Sequence, residues 1–268
     1  MDFVMLTGVG LLTGVTTVLF GFGGGFVAVP VVAWADAALG GDAMRVATAT
    51  SALVMVVNAA FATAVTPRRV LLALRGSGGL LVLLAAGASV GALATRLAPA
   101  DVASWAFIAY VGLTITDLLL RPGFLRPYTP VEAASDDAPR PLPPSLGAPI
   151  GAVAAFLGVG GSVMTVPAMR RAGHTMRVAT ALANPLTLAI ALPATAVSLC
   201  VAAVPAATDA QVHLVGLIDV RAAGALLLGA LPVIALLRRR PPRIPDRVHA
   251  WAYIGLLGMV AVAMLLLA

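Results

Sequence analysis

Apolar residues fill the chain in long uncharged blocks separated by short stretches that carry arginine. Val46 to Thr66, Gly76 to Thr95 and Val178 to Thr208 contain no charged residue. A helix crosses a bilayer with about 20 mostly apolar residues, so each block predicts a span. Val102 to Leu120, Ala222 to Leu237 and Val248 to Ala268 predict three more, the middle one somewhat short. Nothing in these blocks alternates with the period of two that a barrel strand requires, so the pattern predicts an all-α polytopic membrane protein.

Two further apolar segments are interrupted. "GFGGGFVAVP", residues 21 to 30, and "GVGGSVMTVP", residues 158 to 167, place clustered glycines inside a hydrophobic run. Glycine costs roughly 1 kcal/mol relative to alanine inside a helix, so each cluster predicts a break. The clusters are also register marks of an internal repeat. Gly21 aligns with Gly158, "MRVATA" at Met44 recurs at Met176, and "WAFIAYVGL" at Trp105 returns as "WAYIGLLGM" at Trp251. Three ordered matches, whose separations differ only by loop-sized amounts, predict two copies of one unit. Residues 1–120 then form the first transmembrane repeat, 121–145, rich in proline and charge, a cytoplasmic linker, and 146–268 the second repeat, all in one membrane domain.

Charge decides the topology. All 17 basic residues are arginine. If both broken segments crossed fully, the arginines would divide almost evenly between the two sides. If each instead turns at its glycines and returns as a re-entrant or hairpin segment, fourteen arginines collect on one side and only Arg45, Arg96 and Arg221 on the other. That bias predicts a cytoplasmic arginine-rich side and both termini outside. Three full crossings per copy make the repeats inverted. Length agrees in the second copy, where prolines 141, 143, 144 and 149 leave Ile150 to Leu157 as about 12 Å of helix. Phe3 to Phe20 is long enough to cross by itself, so the first copy is open on this point.

Composition narrows the function. At 60% hydrophobic and 10% charged residues, with a mean hydropathy of +1.02, the chain exceeds what a soluble core needs. The net charge of +6 is the positive-inside pattern rather than a nucleic-acid-binding face. Met1 and Asp2 supply no basic segment ahead of the first apolar run, and that run matches a later one, so it reads as retained rather than as a cleaved leader. The single cysteine, Cys200, reads as a small packing residue in a span. His174, His213 and His249 share no ligand-like spacing, so no metal, cofactor or disulfide is expected.

A turn within the bilayer leaves amides unpaired, which is tolerated only where the backbone is buried in protein or lines a cavity. Glycines permit positive φ and let a ligand approach the backbone. The short helix after each turn aims its positive end at the cavity, and Pro30 and Pro167 limit how far it stays regular. Glycines that merely let helices pack closely are spaced by four rather than clustered. Broken helices in inverted repeats are a plan of secondary transporters, with the site where the breaks meet.

At these residues the chain resembles the sulfite exporter TauE/SafE family, also called the toluenesulfonate uptake permease family. The resemblance is carried by Gly21 to Gly25 with Val29-Pro30, by "ATATS" at Ala47 to Ser51, and by their copies at Gly158 to Ser162, Val166-Pro167 and Ala179 to Ala183. It implies a bacterial inner-membrane permease for a small sulfur-containing anion such as sulfite, thiosulfate or an organosulfonate. In the second copy Ser162 replaces the last glycine and "ALANP" stands where a second Thr-Ser is expected, departures that leave the anion unnamed.

The substrate-binding candidates are therefore Gly23, Gly24, Gly25, Gly160, Gly161 and Ser162 at the turns, with Thr50, Ser51, Thr180 and Asn184 in the first spans after them. Hydroxyl and amide donors at that depth bind oxyanions without the desolvation cost of a buried arginine. Thr48 joins them, although such hydroxyls also bond carbonyls of their own helix. Asn58, two turns after Ser51, ranks lower. Arg45 and Arg177, at equivalent repeat positions on opposite faces, either attract anions to an entrance or anchor their spans. Asp117, an acid inside a span, is a possible coupling site for a co-transported proton or cation, but Arg121 four residues on favours an ion pair. Alternating access by a secondary transporter is the leading reading. A passive anion channel on the same scaffold is the alternative. An intramembrane enzyme would need a nucleophile with a base, and a structural scaffold would not need two buried turns. Which anion moves, in which direction and in what oligomer stay open at this stage.

Overall fold

The computed structural model describes residues 3–125, 141–200, 213–240 and 242–267. Eleven α-helices occur among them. Helix α1 (Phe3–Phe20) is followed by a glycine turn and α2 (Gly25–Ala35), then a 3-10 turn (Ala37–Asp42), α3 (Ala43–Ala64), the single-turn α4 (Arg68–Leu71), α5 (Gly78–Leu97) and α6 (Ala100–Leu120). The second half begins with a 3-10 turn (Pro144–Leu146) and continues through α7 (Gly147–Leu157), α8 (Ser162–Arg171), α9 (Met176–Leu199), α10 (Val220–Arg239) and α11 (Asp246–Leu267). A short hairpin, β1 (Leu214–Val215) and β2 (Ile218–Asp219), pairs antiparallel ahead of α10. Seven helices are long and apolar enough to cross a membrane: α1, α3, α5, α6, α9, α10 and α11.

The two broken segments differ in length. With 18 residues, α1 reaches about 27 Å at 1.5 Å per residue, whereas α7 has 11 residues and reaches about 16 Å. The prolines that start α7 late explain the difference. Pro30 and Pro167 lie inside their short helices: α2 continues from the first to Ala35 and α8 from the second to Arg171. Each proline is the sixth residue of its helix, so one backbone bond is forfeited and the rest are kept.

Helices α3 and α9, which carry the repeated "MRVATA" at their starts, pack on each other and are the most buried of the spans. Around this pair the halves exchange partners. Helix α1 lies along α10, and α7 lies along α5. Both contacts are made backbone to backbone at glycine. A Cβ on Gly14 would sit 2.6 Å from the Ala230 carbonyl, and Gly10 abuts the Leu226 carbonyl. Gly147 and Gly151 meet Leu80 and Leu84, while Gly87 and Gly91 meet Ala148 and Ala152. These glycines are spaced by four, the small-residue packing device of membrane helices. Helix α11 packs against α6, and the rings of Phe20, Phe22, Phe26, Phe107, Phe124 and Tyr253 fill the space beside the first turn.

Helix starts are fixed locally. The Thr175 hydroxyl caps α9 by accepting from the Val178 amide, and Asp219 caps α10 by accepting from Arg221 and Ala222 at 2.8 and 3.1 Å. Cys200 does not lie inside a span: it follows the last residue of α9 and is exposed.

Candidate functional site at the two glycine turns

Each break is a true left-handed turn. Gly21, Gly23 and Gly24 have φ of 74°, 63° and 86°, and Gly158 and Gly160 have 69° and 71°. A side chain would strain the chain at any of these positions. Gly161 differs, with an ordinary helical φ of −77°.

The turns dock on the spans of the opposite half. The position of a Cβ on Gly21 lies 2.5 Å from the Thr180 carbonyl and 2.7 Å from Ala183 Cβ, on α9. Gly158 meets Thr48 Cγ2 at 2.9 Å and Ser51 Oγ at 3.0 Å, on α3. Ser51 donates to the Gly158 carbonyl at 2.8 Å, and Thr187 reaches the Gly21 carbonyl at 3.5 Å. The turns then converge. Gly23 and Gly160 both face Thr187 Cγ2 at 3.0 Å and both face Met55, at 3.3 Å from Cγ and 3.0 Å from Sδ respectively. Met55 and Thr187 are themselves repeat partners, separated by the same distance along the chain as Met44 and Met176.

Polar atoms around this meeting point lack protein partners. Buried Thr48 Oγ1, Asn58 Oδ1, Ser162 Oγ, Thr165 Oγ1 and Asn184 Oδ1 make no hydrogen bond. Leaving such a group unsatisfied costs about 1–3 kcal/mol, so a set of them marks a place suited to a polar guest. No backbone carbonyl among the described residues accepts from the amides of Gly23, Gly24, Gly160 or Gly161. Those amides sit at the starts of α2 and α8, where the helix dipole is positive.

Of the residues expected at the site, Gly23, Gly24, Gly25, Gly160, Gly161, Ser162 and Ser51 are gathered here. Asn58 belongs with them more closely than its lower rank implies: its amide donates to the Gly23 carbonyl at 3.3 Å and lies 2.8 Å from a Cβ on Gly24. Asn184 donates to the Thr180 carbonyl and Thr180 to the Arg177 carbonyl, both within α9. Thr50 is engaged elsewhere, accepting from the Asp219 amide at 2.9 Å and so tying α3 to the hairpin. Asp117 holds two ion pairs, with Arg121 at 3.1 Å and with Arg171 of α8 at 2.6 Å. Met55 and Thr187 are site residues that sequence reasoning does not single out. Their signal is that they fall two helical turns after Thr48 and Thr180, on the same helical face.

Two cavities flank the meeting point. One is about 20 Å³, room for a single water, and is lined by Arg45, Thr48, Ala52, Thr95, Arg96 and Ala155. The other is about 420 Å³, lined by Leu19, Arg69, Arg177, Thr180, Arg238 and His249 among others. Exposed Pro67, Arg69 and Pro242 stand at its rim. The linings correspond: Arg45 with Arg177, Thr48 with Thr180 and Ala155 with Val18 keep the repeat register. One cavity adjoins the second turn, the other the first.

No curated protein and no solved structure matches the chain. A family model described as "Sulfite exporter TauE/SafE" matches residues 6–264, which takes in both glycine turns, both cavities, five of the seven candidate spans whole and nearly all of the first and last. With that match over nearly its whole length, the chain belongs to the sulfite exporter TauE/SafE family, a family of multi-pass membrane transporters and not of enzymes.

Proposed function

We propose that the protein is a secondary transporter that moves a small sulfur-containing oxyanion, such as sulfite, thiosulfate or an organosulfonate, by alternating access around its two glycine turns. The observation that carries the reading is the convergence of Gly23 and Gly160 on Met55 and Thr187, with repeat-related cavities on either side of unequal size, about 20 and 420 Å³. A carrier that exposes its site to one side at a time is expected to have one access route closed while the other is open. Unpaired amides and positive helix ends at the turns favour an anion over a cation. The exchange of partners, α1 with α10 and α7 with α5, is what two inverted repeats would produce.

The arginine-rich side is read as cytoplasmic, which puts the larger cavity on the cytoplasmic side and the start of α3 outside. With the family's description, that arrangement favours export, driven by the anion's own gradient or by exchange for an incoming proton or cation. Proteoliposome uptake of sulfite, thiosulfate, sulfoacetate and sulfate, with and without an imposed proton gradient, tests the reading. Saturable flux of one anion supports a carrier. Flux that never saturates and is carried as conductance replaces it with a channel, and no flux of any of the four removes the substrate class.

A further inference from the structure

The lining of the larger cavity includes three arginines, Arg69, Arg177 and Arg238. Among the described residues none of the three pairs with a carboxylate. Arg238 is only partly exposed, and its Nε and Nη2 atoms are buried without an acceptor. Arg177 is close enough to act on it as a like charge. Two like charges on the lining of one cavity repel each other, so the arrangement suits an anion placed between them.

The equivalent place in the other half is built oppositely. Arg45, which holds the repeat position of Arg177, is neutralised by Asp42 at 3.0 Å and also donates to the Ala98 carbonyl. Arg96 beside it donates to the Val197 carbonyl, so unpaired Nε atoms occur in both cavities and the contrast lies in the Asp42 carboxylate. The residue three before Arg177 is His174, where the first copy has Asp42. His174 lines a different cavity, with Leu74, Ser77 and Met169, so that position offers Arg177 no carboxylate. No repeat-related position supplies a second arginine to the smaller cavity in place of Arg238: in the register that aligns Trp105 with Trp251, Ala92 stands there.

We propose that Arg177 and Arg238, with Arg69 at the rim, form a capture site for a doubly charged oxyanion, distinct from the glycine turns and present only on the arginine-rich side. The two unneutralised guanidinium groups select two negative charges over one, so sulfite, sulfate and thiosulfate are held in preference to chloride. From the site, Thr180 leads on to Gly21, whose Cβ position abuts the Thr180 carbonyl. Occupancy of this site does not depend on the transport reading, although its use in transport does.

The test is thiosulfate binding to the purified full-length protein by calorimetry, beside thiosulfate transport in proteoliposomes. Arg238→Gln and Arg177→Gln should each weaken binding about tenfold or more, the scale expected for loss of a charge-assisted, bidentate contact. Exposed Arg75→Gln on the same face should leave it unchanged. Arg238→Lys, which keeps the charge but not the planar fork, should weaken binding less than Arg238→Gln, and it guards against variants that fail to fold. Weaker binding in these variants supports the site even if no transport is found, in which case only the transport reading fails. Unchanged binding in Arg177→Gln and Arg238→Gln overturns the site while leaving transport untouched. Wild-type protein that holds thiosulfate no better than chloride overturns it as well.

Discussion

The two glycine turns solve one geometric problem with different materials. The first uses glycine at all four of the positions 21, 23, 24 and 25, while the second keeps Gly158, Gly160 and Gly161 and puts Ser162 where Gly25 stands. The reason lies across the interface. A Cβ on Gly25 would run into the Met55 side chain, 2.6 Å from Cγ, whereas the shorter Thr187 holds Met55's repeat position in the second half. The glycines at positive φ are required by the backbone, and Gly25 is required by its neighbour. A cluster that looks uniform in sequence therefore contains two kinds of glycine.

The largest effects should come from bulk placed at the heart of each turn. Gly24→Leu adds a side chain at φ 86° against Asn58, and Gly161→Leu drives one into Ile190 Cδ1, 2.5 Å from its Cβ. Both should abolish uptake while the protein still inserts. The milder pair separates them: Gly24→Ala should cost about 2–4 kcal/mol of stability from strain and overpacking, and Gly161→Ala, at a helical φ facing a movable side-chain end, about half as much. Normal uptake by either leucine variant would remove the turns from the site.

Asp36 sharpens a second contrast between the halves, because Gly173 holds its place in the register that aligns Gly21 with Gly158. Burial, and then the nearby Asp219 carboxylate, raise the Asp36 pKa from 3.8 to about 7. An acid whose pKa is raised on folding binds more protons folded than unfolded between those values. Its contribution is fully present below about 4 and is lost as pH climbs through about 7. At about 1.4 kcal/mol per pKa unit the loss is on the order of 4 kcal/mol. Thermal unfolding in detergent should show that decline from pH 4 to 7, and Asp36→Asn should flatten it. An unchanged profile in the variant would assign the decline to other groups.

The Gly25 and Met55 pairing predicts a rescue. Gly25→Ser alone should destabilise by about 1–3 kcal/mol through overpacking. Met55→Thr in the same molecule, which copies the second turn, should recover about 1 kcal/mol or more of that, a coupling measurable in a double-mutant cycle. Additive effects would show that the two sites do not meet. The smallest effect belongs to Asp117. Its partly exposed pairs with Arg121 and Arg171 join α6 to α8, and Asp117→Asn should cost about 1 kcal/mol or less and leave any gradient dependence of uptake intact. Loss of that dependence would return Asp117 to a coupling role.

Much of this organisation is legible in the chain. The breaks and the spans rest on local chemistry, since clustered glycine and uncharged length act within a few residues. What escapes is decided by docking between distant segments. Met55 is an apolar residue in an apolar helix and acquires meaning only because two turns close on it from opposite halves. Thr50 groups with Ser51 in sequence, but adjacent residues on a helix point about 100° apart, and its hydroxyl goes to the Asp219 amide. Cys200 reads as part of a span because the uncharged run continues beyond the helix end. The four-residue glycine spacing at Gly10 and Gly14, Gly87 and Gly91, and Gly147 and Gly151 is visible in the chain but masked by the denser clusters. The arginine cavity needs the helix ends of α9 and α10 side by side, which no spacing reveals.

The exchange of partners between halves has a consequence for biogenesis. Helix α1 leaves the ribosome about 200 residues before α10, whose backbone its glycines are cut to fit. Until α10 inserts, α1 must wait in the bilayer with Gly10 and Gly14 facing lipid, and α5 waits likewise, though more briefly, for α7. Neither half made alone can satisfy its own grooves. Separately expressed halves should therefore find each other in the membrane, and the late helices should set the pace at which the newborn protein becomes resistant to proteases.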